Sequence, residues 1–359
     1  MSLTKEQWLA SERDIVTTFF TQKVTAQYPQ TIQVNEDKCY ALARSLLGTD
    51  DVKLVDNQGF NSFTLFSPSK GKVIQFRLDV FQDATLQLAL KIYGNQIPSR
   101  ASLPHGFEDF PLPVYVSDVI PGVVHILQPF PEQGFPLDRQ LNTVTDLARF
   151  IAKATFFPQD REALRKDGWT ATASQFVARL CRNNDLAATA PEIYHIVAQL
   201  KDQLHLLDTL PPVLSHDDLA EINVFVDEEG HITGVIDFES AGVEAFGMSI
   251  WGLYECWLGG MNDARFAFFD FMTAESGGRT VREVLENVFW TTLWSEVNGS
   301  VLRREHEAAI RVALAMGVLR RYFTRDLVDK VTEGDMHHIR SLAYAKAILP
   351  AVWLRKIDG

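Results

Sequence analysis

Apolar residues recur at helical spacing over 5–27 and again over 36–47, where Gly48 closes the run. The period then changes. In "VKLVDNQGFNSFTLFSPSKGKVIQFRLDV", Val52 to Val80, apolar and polar positions alternate, and turn residues interrupt at Asn57–Gly59 and Ser67–Gly71. That pattern predicts three antiparallel strands at about 52–56, 60–67 and 72–79. A helix is predicted at about 82–94, closed by Gly94, and two further strands at about 113–119 and 123–128 flank Ile120-Pro121-Gly122. Beyond about 130 the period is mostly helical. Predicted helices are 138–157, 171–184, 191–209, 245–259, 264–273, 281–297, 303–323 and 336–348, interrupted by strands only within Leu214–Ser240. A small sheet-rich lobe followed by a larger helical one is the expected α+β architecture, divided near 120/121.

Within "LSHDDLAEINVFVDEEGHITGVIDFES", Asn223–Val226 and Ile232–Ile236 read as two short apolar strands joined by the turn Asp227–Gly230. Antiparallel pairing through that turn puts Asn223 near Gly234, with Asp237 just past the same end. His216 and Asp218 enter that mouth from the preceding loop. An amide oxygen and a carboxylate suit a hard cation such as Mg2+, and Asp218, five residues ahead of Asn223, could face a substrate hydroxyl instead.

The totals narrow the partners. Basic residues number 34 and acidic ones 46, for a formal net charge of −12. That argues against a nucleic-acid backbone or an anionic membrane as the main partner. Cys39, Cys181 and Cys256 are odd in number and widely spaced, so neither a disulfide framework nor a zinc site is expected. With no signal-peptide pattern and no apolar run approaching about 18–20 residues, a soluble, cytoplasmic protein is expected. Nothing in the pattern fixes an oligomeric state.

His216, Asp218 and Asn223 have the spacing H-x-D-x-x-x-x-N, and Ile236-Asp237-Phe238-Glu239 follows across a hairpin. This resembles the aminoglycoside phosphotransferase and choline-kinase-like superfamily of small-molecule kinases, with "AGVEAFGMSIWGLYECWLGG" and "LRRYF" similar to its fungal branch. The resemblance spans about 40 to 350 and is specific only in this block. It implies a protein-kinase-like fold of two lobes, with ATP and Mg2+ as cofactors and a small-molecule hydroxyl or amine as acceptor. It implies Asp218 as catalytic base or acceptor orienter, His216 as the brace of the catalytic loop, and Asn223 and Asp237 as metal ligands.

On the nucleotide side, the family often has two glycines followed by asparagine at the strand turn. Here Gly59 and Asn61 remain. Arg77 falls where the family carries its phosphate-contacting Lys or Arg. The following helix normally offers Glu, but 78–107 contain none, which leaves Asp83 as substitute acid or helix N-cap. The strand and hinge would present Ser117, Asp118 and Val119 to adenine. Trp251, Tyr254, Glu255, Trp257, Trp290 and Trp294 are candidate walls of an acceptor pocket, more in keeping with core. Arg320–Arg325, and His337 with His338, read as solvated. Two rival readings use the same fold: a nucleotide-binding pseudokinase or scaffold, and an enzyme of other chemistry such as nucleotidyl transfer or ATP-independent acid–base catalysis.

Overall fold

The computed structural model describes residues 13–28, 34–56, 58–81, 83–102, 110–128, 134–262 and 265–354. They divide into two compact units, Met1–Asp83 with Asn95–Pro121, and Ala84–Gly94 with Gly122–Gly359. The predicted helix at 5–27 is helical over its described part, 13–27, and Trp8–Glu12 lie outside the described residues.

The first unit is an antiparallel sheet backed by two helices, α1 (13–27) and α2 (Glu36–Leu47). Its strands are β1 (Lys53–Leu54), β2 (Ser62–Ser67), β3 (Lys72–Arg77), β4 (Arg100–Ser102) and β5 (Val114–Asp118), in the spatial order β1-β2-β3-β5-β4. Alternation sorts the two faces. Phe63 and Leu65 of β2 and Ile74 and Phe76 of β3 are fully buried against Val16, Phe19, Cys39 and Ala43 of the helices. Each such large side chain contributes roughly 1.5–3 kcal/mol by burial. Helix α2 begins where Asn35 accepts the Lys38 N–H and ends at Gly48, at φ 61°. On the other face Gln75 donates to Ser62 Oγ at 3.1 Å, a polar cross-strand ladder that leads to Arg77.

In the second unit, helix α3 (Asp83–Tyr93) packs from its C-terminal end, where the Tyr93 ring stacks on Phe150 at 4.0 Å between centroids. Helix α4 (Leu137–Lys153) is amphipathic and buries Leu137, Val144, Leu147, Ala148 and Ile151. It packs on α8 (Val281–Glu296), which opens with a Thr280–Glu283 capping box. Helices α5 (Ala173–Leu180), α6 (Asn184–Thr189), α7 (Pro191–Gln203), α9 (Arg303–Tyr322) and α10 (Met336–Trp353) complete the helical set. Apart from 245–259 and 264–273, the helices predicted beyond 130 thus persist, several of them shorter or finished by a 3-10 turn.

Strands β6 (Val123–Val124), β8 (Val224–Val226) and β9 (Ile232–Val235) form one small sheet. Three expectations need correction. The stretch 264–273 is not a helix: β11 (Gly259–Asn262) and β12 (Arg265–Phe268) form a hairpin, and the alternating aromatics of "RFAF" allow it. The stretch 245–259 is not one helix either. It starts as β10 (Gly242–Ala245), paired with β7 (Pro212–Ser215), and Gly247 at φ 102° breaks the backbone before short 3-10 and π turns. Third, strands in the second unit are therefore not confined to the Leu214–Ser240 block. Among the described residues no helix is long and apolar enough to cross a membrane.

Candidate active site

Strand β7 delivers the chain to a tight loop. Ser215 pairs with Gly242, and the backbone then turns so that Ala220 N–H donates to Asp218 O at 2.9 Å and Asn223 N–H to Ala220 O at 2.9 Å. Leu219 is buried beneath the loop. Gly252 is what lets that backbone in, because a Cβ there would lie 2.0 Å from Leu219 O.

His216 is buried and braces both ends of the loop. Its Nδ1 accepts the Asp218 N–H at 3.2 Å, so Nε2 carries the proton and donates to Ile236 O at 2.8 Å. Its ring also meets the Phe238 ring edge-on at 4.6 Å. Burial pushes the imidazole below its ordinary value, partly opposed by the bond to Ile236. A neutral imidazole of this tautomer ties the loop to the end of β9 without adding charge.

The hairpin brings Asn223 opposite Ile236, not Gly234. Val224 pairs with Val235, Ile236 N–H donates to Asn223 O at 2.9 Å, and an irregularity at Phe225/Val226 absorbs the offset. The residue opposite Asn223 is thus the one just before Asp237. Its Nδ2 donates to Asp218 O at 2.9 Å and to Asp218 Oδ2 at 3.1 Å. With Nδ2 committed, the amide turns Oδ1, the end a hard cation takes, away from Asp218. Asp237 sits at φ 67°, left-handed backbone that aspartate adopts more readily than most residues. Such conformations cluster where a side chain is held for function.

Asp218 has a partner that sequence reasoning missed. Arg321 Nη1, from the last turn of α9, donates to its Oδ1 at 2.8 Å, while Arg321 Nε reaches Glu255 Oε2 at 3.3 Å. The guanidinium lies 4.5 Å from the Trp251 ring centroid, and Tyr322 OH donates to the same Glu255 oxygen at 2.8 Å. Burial acts against this charge, but the Glu255 and Asp218 carboxylates outweigh it and hold Arg321 above its ordinary value. The expected solvated face at Arg320–Arg325 is therefore corrected at its start: Arg320 is also half-buried, bonded to Thr172 and stacked 4.0 Å from the Phe176 centroid. His338 is likewise buried rather than solvated, accepting Thr332 N–H at 2.9 Å. Of the supposed acceptor walls, Trp251, Tyr254, Trp257 and Trp290 are core.

A second ionic group lies behind the loop. Glu244 is fully buried and accepts the Trp169 and Thr170 N–H groups at 2.8 and 2.7 Å. Gly168 permits this, since a Cβ there would stand 2.3 Å from Glu244 Oε1. Arg165 donates to Ser240 O at 2.8 Å and lies 3.6 Å from Asp217 Oδ2. Burial, with Glu244 nearby and Arg165 opposing, pushes Asp217 up to about 7.

In the first unit, Gly59 and Asn61 form the turn before β2. Lys23 of α1 donates to Phe60 O at 2.6 Å and to Asn61 Oδ1 at 3.1 Å, a cation at this turn that the motif did not suggest. Arg77 ends β3, is buried, and lies 4.0 Å from the Phe81 ring centroid. Asp83 is the first residue of α3, and its side chain lies outside the described ones. Ser117 is paired on both sides, with Val73 and Arg100. Asp118 is an exposed partner of Lys72, and the Val119 N–H is committed to Gly71 O at 3.0 Å.

Residues 110–277 match the family model "Phosphotransferase enzyme family". No curated protein matches the chain. Among solved structures, an ethanolamine kinase from Plasmodium vivax is 13% identical with a TM-score of 0.52, covering 93% of this chain and 95% of that one. A GDP complex of aminoglycoside 2'-phosphotransferase-IIIa is 12% identical with a TM-score of 0.50, covering 92% and 97%. A thermostable mutant of aminoglycoside phosphotransferase APH(4)-Ia, in ternary complex with ADP and hygromycin B, is 17% identical with a TM-score of 0.50, covering 89% and 99%. These likenesses bear out the protein-kinase-like fold, and with the family match they bear out the resemblance to the aminoglycoside phosphotransferase and choline-kinase-like superfamily.

Proposed function

We propose, on the premise of that family match and fold, that the chain is a small-molecule kinase that moves the γ-phosphoryl group of ATP to a hydroxyl, with an amine as the second acceptor class. The observation that carries this is the clamp of Asn223 on Asp218 beside Asp237. It gathers, at one end of a hairpin, a carboxylate for the acceptor and two oxygens for a cation.

The acceptor oxygen forms its bond to the γ-phosphorus as the bond to the β–γ bridging oxygen breaks and ADP leaves. The hydroxyl proton passes to Asp218 and on to solvent. Asp218, held at both oxygens, supplies orientation more than proton affinity, and orientation accounts for much of the rate of such transfers. Asn223 Oδ1 and the Asp237 carboxylate fit a hard cation that keeps water and phosphate oxygens as its other ligands. When bound, Mg2+ supplies charge neutralisation at the phosphates. Gly59, Asn61, Arg77 and the backbone from Val119 are the proposed nucleotide contacts of the first unit.

A nucleotide-binding scaffold without turnover is the second reading, favoured by the occupation of both Asp218 oxygens. The test is incubation with Mg·ATP and a pool of small hydroxyl and amine compounds, followed by a mass search of the products. A gain of one phosphate supports the kinase, and a gain of a nucleotide points to other chemistry on this fold. Binding of Mg·ATP with no product over the whole pool supports the scaffold.

A further inference from the structure

We propose that Arg321 is a positioning residue of the phosphotransfer site, which sets the Asp218 carboxylate for the acceptor. This inference rests on the kinase reading above. Asp218 lies on the loop between the short strands β7 and β8, and a carboxylate on such a loop can rotate. Two donors stop it. Asn223 Nδ2 takes Oδ2 from one side at 3.1 Å, and Arg321 Nη1 takes Oδ1 from another at 2.8 Å. Together they fix the plane of the carboxylate and leave its remaining lone pairs for a hydroxyl.

Arg321 can do this because it is itself held. Glu255 binds its Nε, the Trp251 ring supports its face, and Tyr322 OH steadies Glu255. A guanidinium binds both carboxylates at once through a planar fork, which an ammonium cannot reproduce. The side chain is about one-third exposed, at 32%, as is that of Asp218, at 31%. An ion pair so exposed adds little to stability, so its main effect falls on the geometry of the carboxylate it touches.

The sequence surrounding the pair agrees. Two consecutive acids, Asp217 and Asp218, face two consecutive arginines: Arg321 bonds Asp218, and Arg320 lies close enough to Asp217 for the two charges to interact. Of the two acids Asp217 is the more buried, and Asp218 reaches the site.

The experiment measures ADP formation from Mg·ATP with water as acceptor, in the wild type, Arg321→Ala, Arg321→Lys and Glu255→Gln, with thermal melting alongside. Arg321→Ala is expected to lower kcat at least tenfold with the KM for ATP within twofold of wild type, and millimolar guanidinium chloride to restore part of the loss. Arg321→Lys should remain folded and still lose kcat several-fold, which decides the matter if the alanine variant fails to fold. Glu255→Gln should show a smaller loss of the same kind. Wild-type kcat in folded Arg321→Ala or Arg321→Lys overturns the inference and leaves the kinase reading intact. Loss without guanidinium rescue, accompanied by a fall in melting temperature, also overturns it, since it marks a purely structural pair. A wild type that neither binds Mg·ATP nor forms ADP overturns the kinase reading, and the inference with it.

Discussion

The Asn223 amide nitrogen holds both the main-chain oxygen and Oδ2 of Asp218, at 2.9 and 3.1 Å. One side chain therefore closes the loop and aims its carboxylate. Asn223→Ala should lower turnover about 10²-fold or more, because orientation and cation binding fail together. Asp218→Ala should abolish turnover while the Mg·ATP-dependent melting shift survives. Comparing kcat with that shift in the two variants separates the roles. Near-full turnover in Asp218→Ala would remove the catalytic assignment.

Asp237 combines a proposed ligand with left-handed backbone at φ 67°. Asp237→Asn keeps a residue that tolerates this backbone, so it should fold normally and lose the Mg·ATP-dependent shift. Asp237→Ala should lose the same response and be about 1 kcal/mol less stable than the asparagine variant, from the backbone alone. Urea unfolding of the two proteins without nucleotide checks the difference.

Gly168 and Glu244 make a packing prediction. A methyl at 168 would displace the Glu244 carboxylate from the Trp169 and Thr170 N–H groups. Gly168→Ala should cost about 2–3 kcal/mol, from overpacking and from a buried carboxylate stripped of donors. Chemical denaturation reads the loss directly.

Burial places Asp217 at about 7 in the fold, against an ordinary carboxylate value in the unfolded chain. The folded state then holds the extra proton. This contribution to stability is complete below about pH 4 and is lost as pH rises to about 7. The buried His216, lowered in the fold, acts in the opposite sense and loses stability as pH falls through 6.5. Asp217→Asn should remove the first effect only. The difference in unfolding free energy between variant and wild type should therefore grow in the variant's favour from pH 5 to 8, and a difference independent of pH would refute the assignment.

How much of this was legible depended on range along the chain. The hairpin was visible because two apolar runs flank "DEEG", and its carboxylates and amide stand at fixed spacing. Its register was two residues off, Asn223 meeting Ile236 rather than Gly234, because the irregularity at Phe225/Val226 leaves no mark in the hydrophobic pattern. The stretch 264–273, which holds β12, was read as helix because closely spaced phenylalanines satisfy both periods. Arg321 was invisible as a site residue. It follows Asp218 by about a hundred positions, and only tertiary packing of α9 brings the two together. The same holds for Lys23 at the Phe60–Asn61 turn. Local chemistry could be read from spacing, whereas the charges that steady it come from distant helices.

The meeting of Asp217 and Asp218 with Arg320 and Arg321 also bears on which changes in chain length the protein tolerates. Removing or adding one residue within α9 would turn its C-terminal arginines by about 100° and carry them away from the loop. Natural or engineered variants should therefore keep the count from Arg303 to Arg321 unchanged. The helix acts as a ruler whose last two marks must fall on the loop.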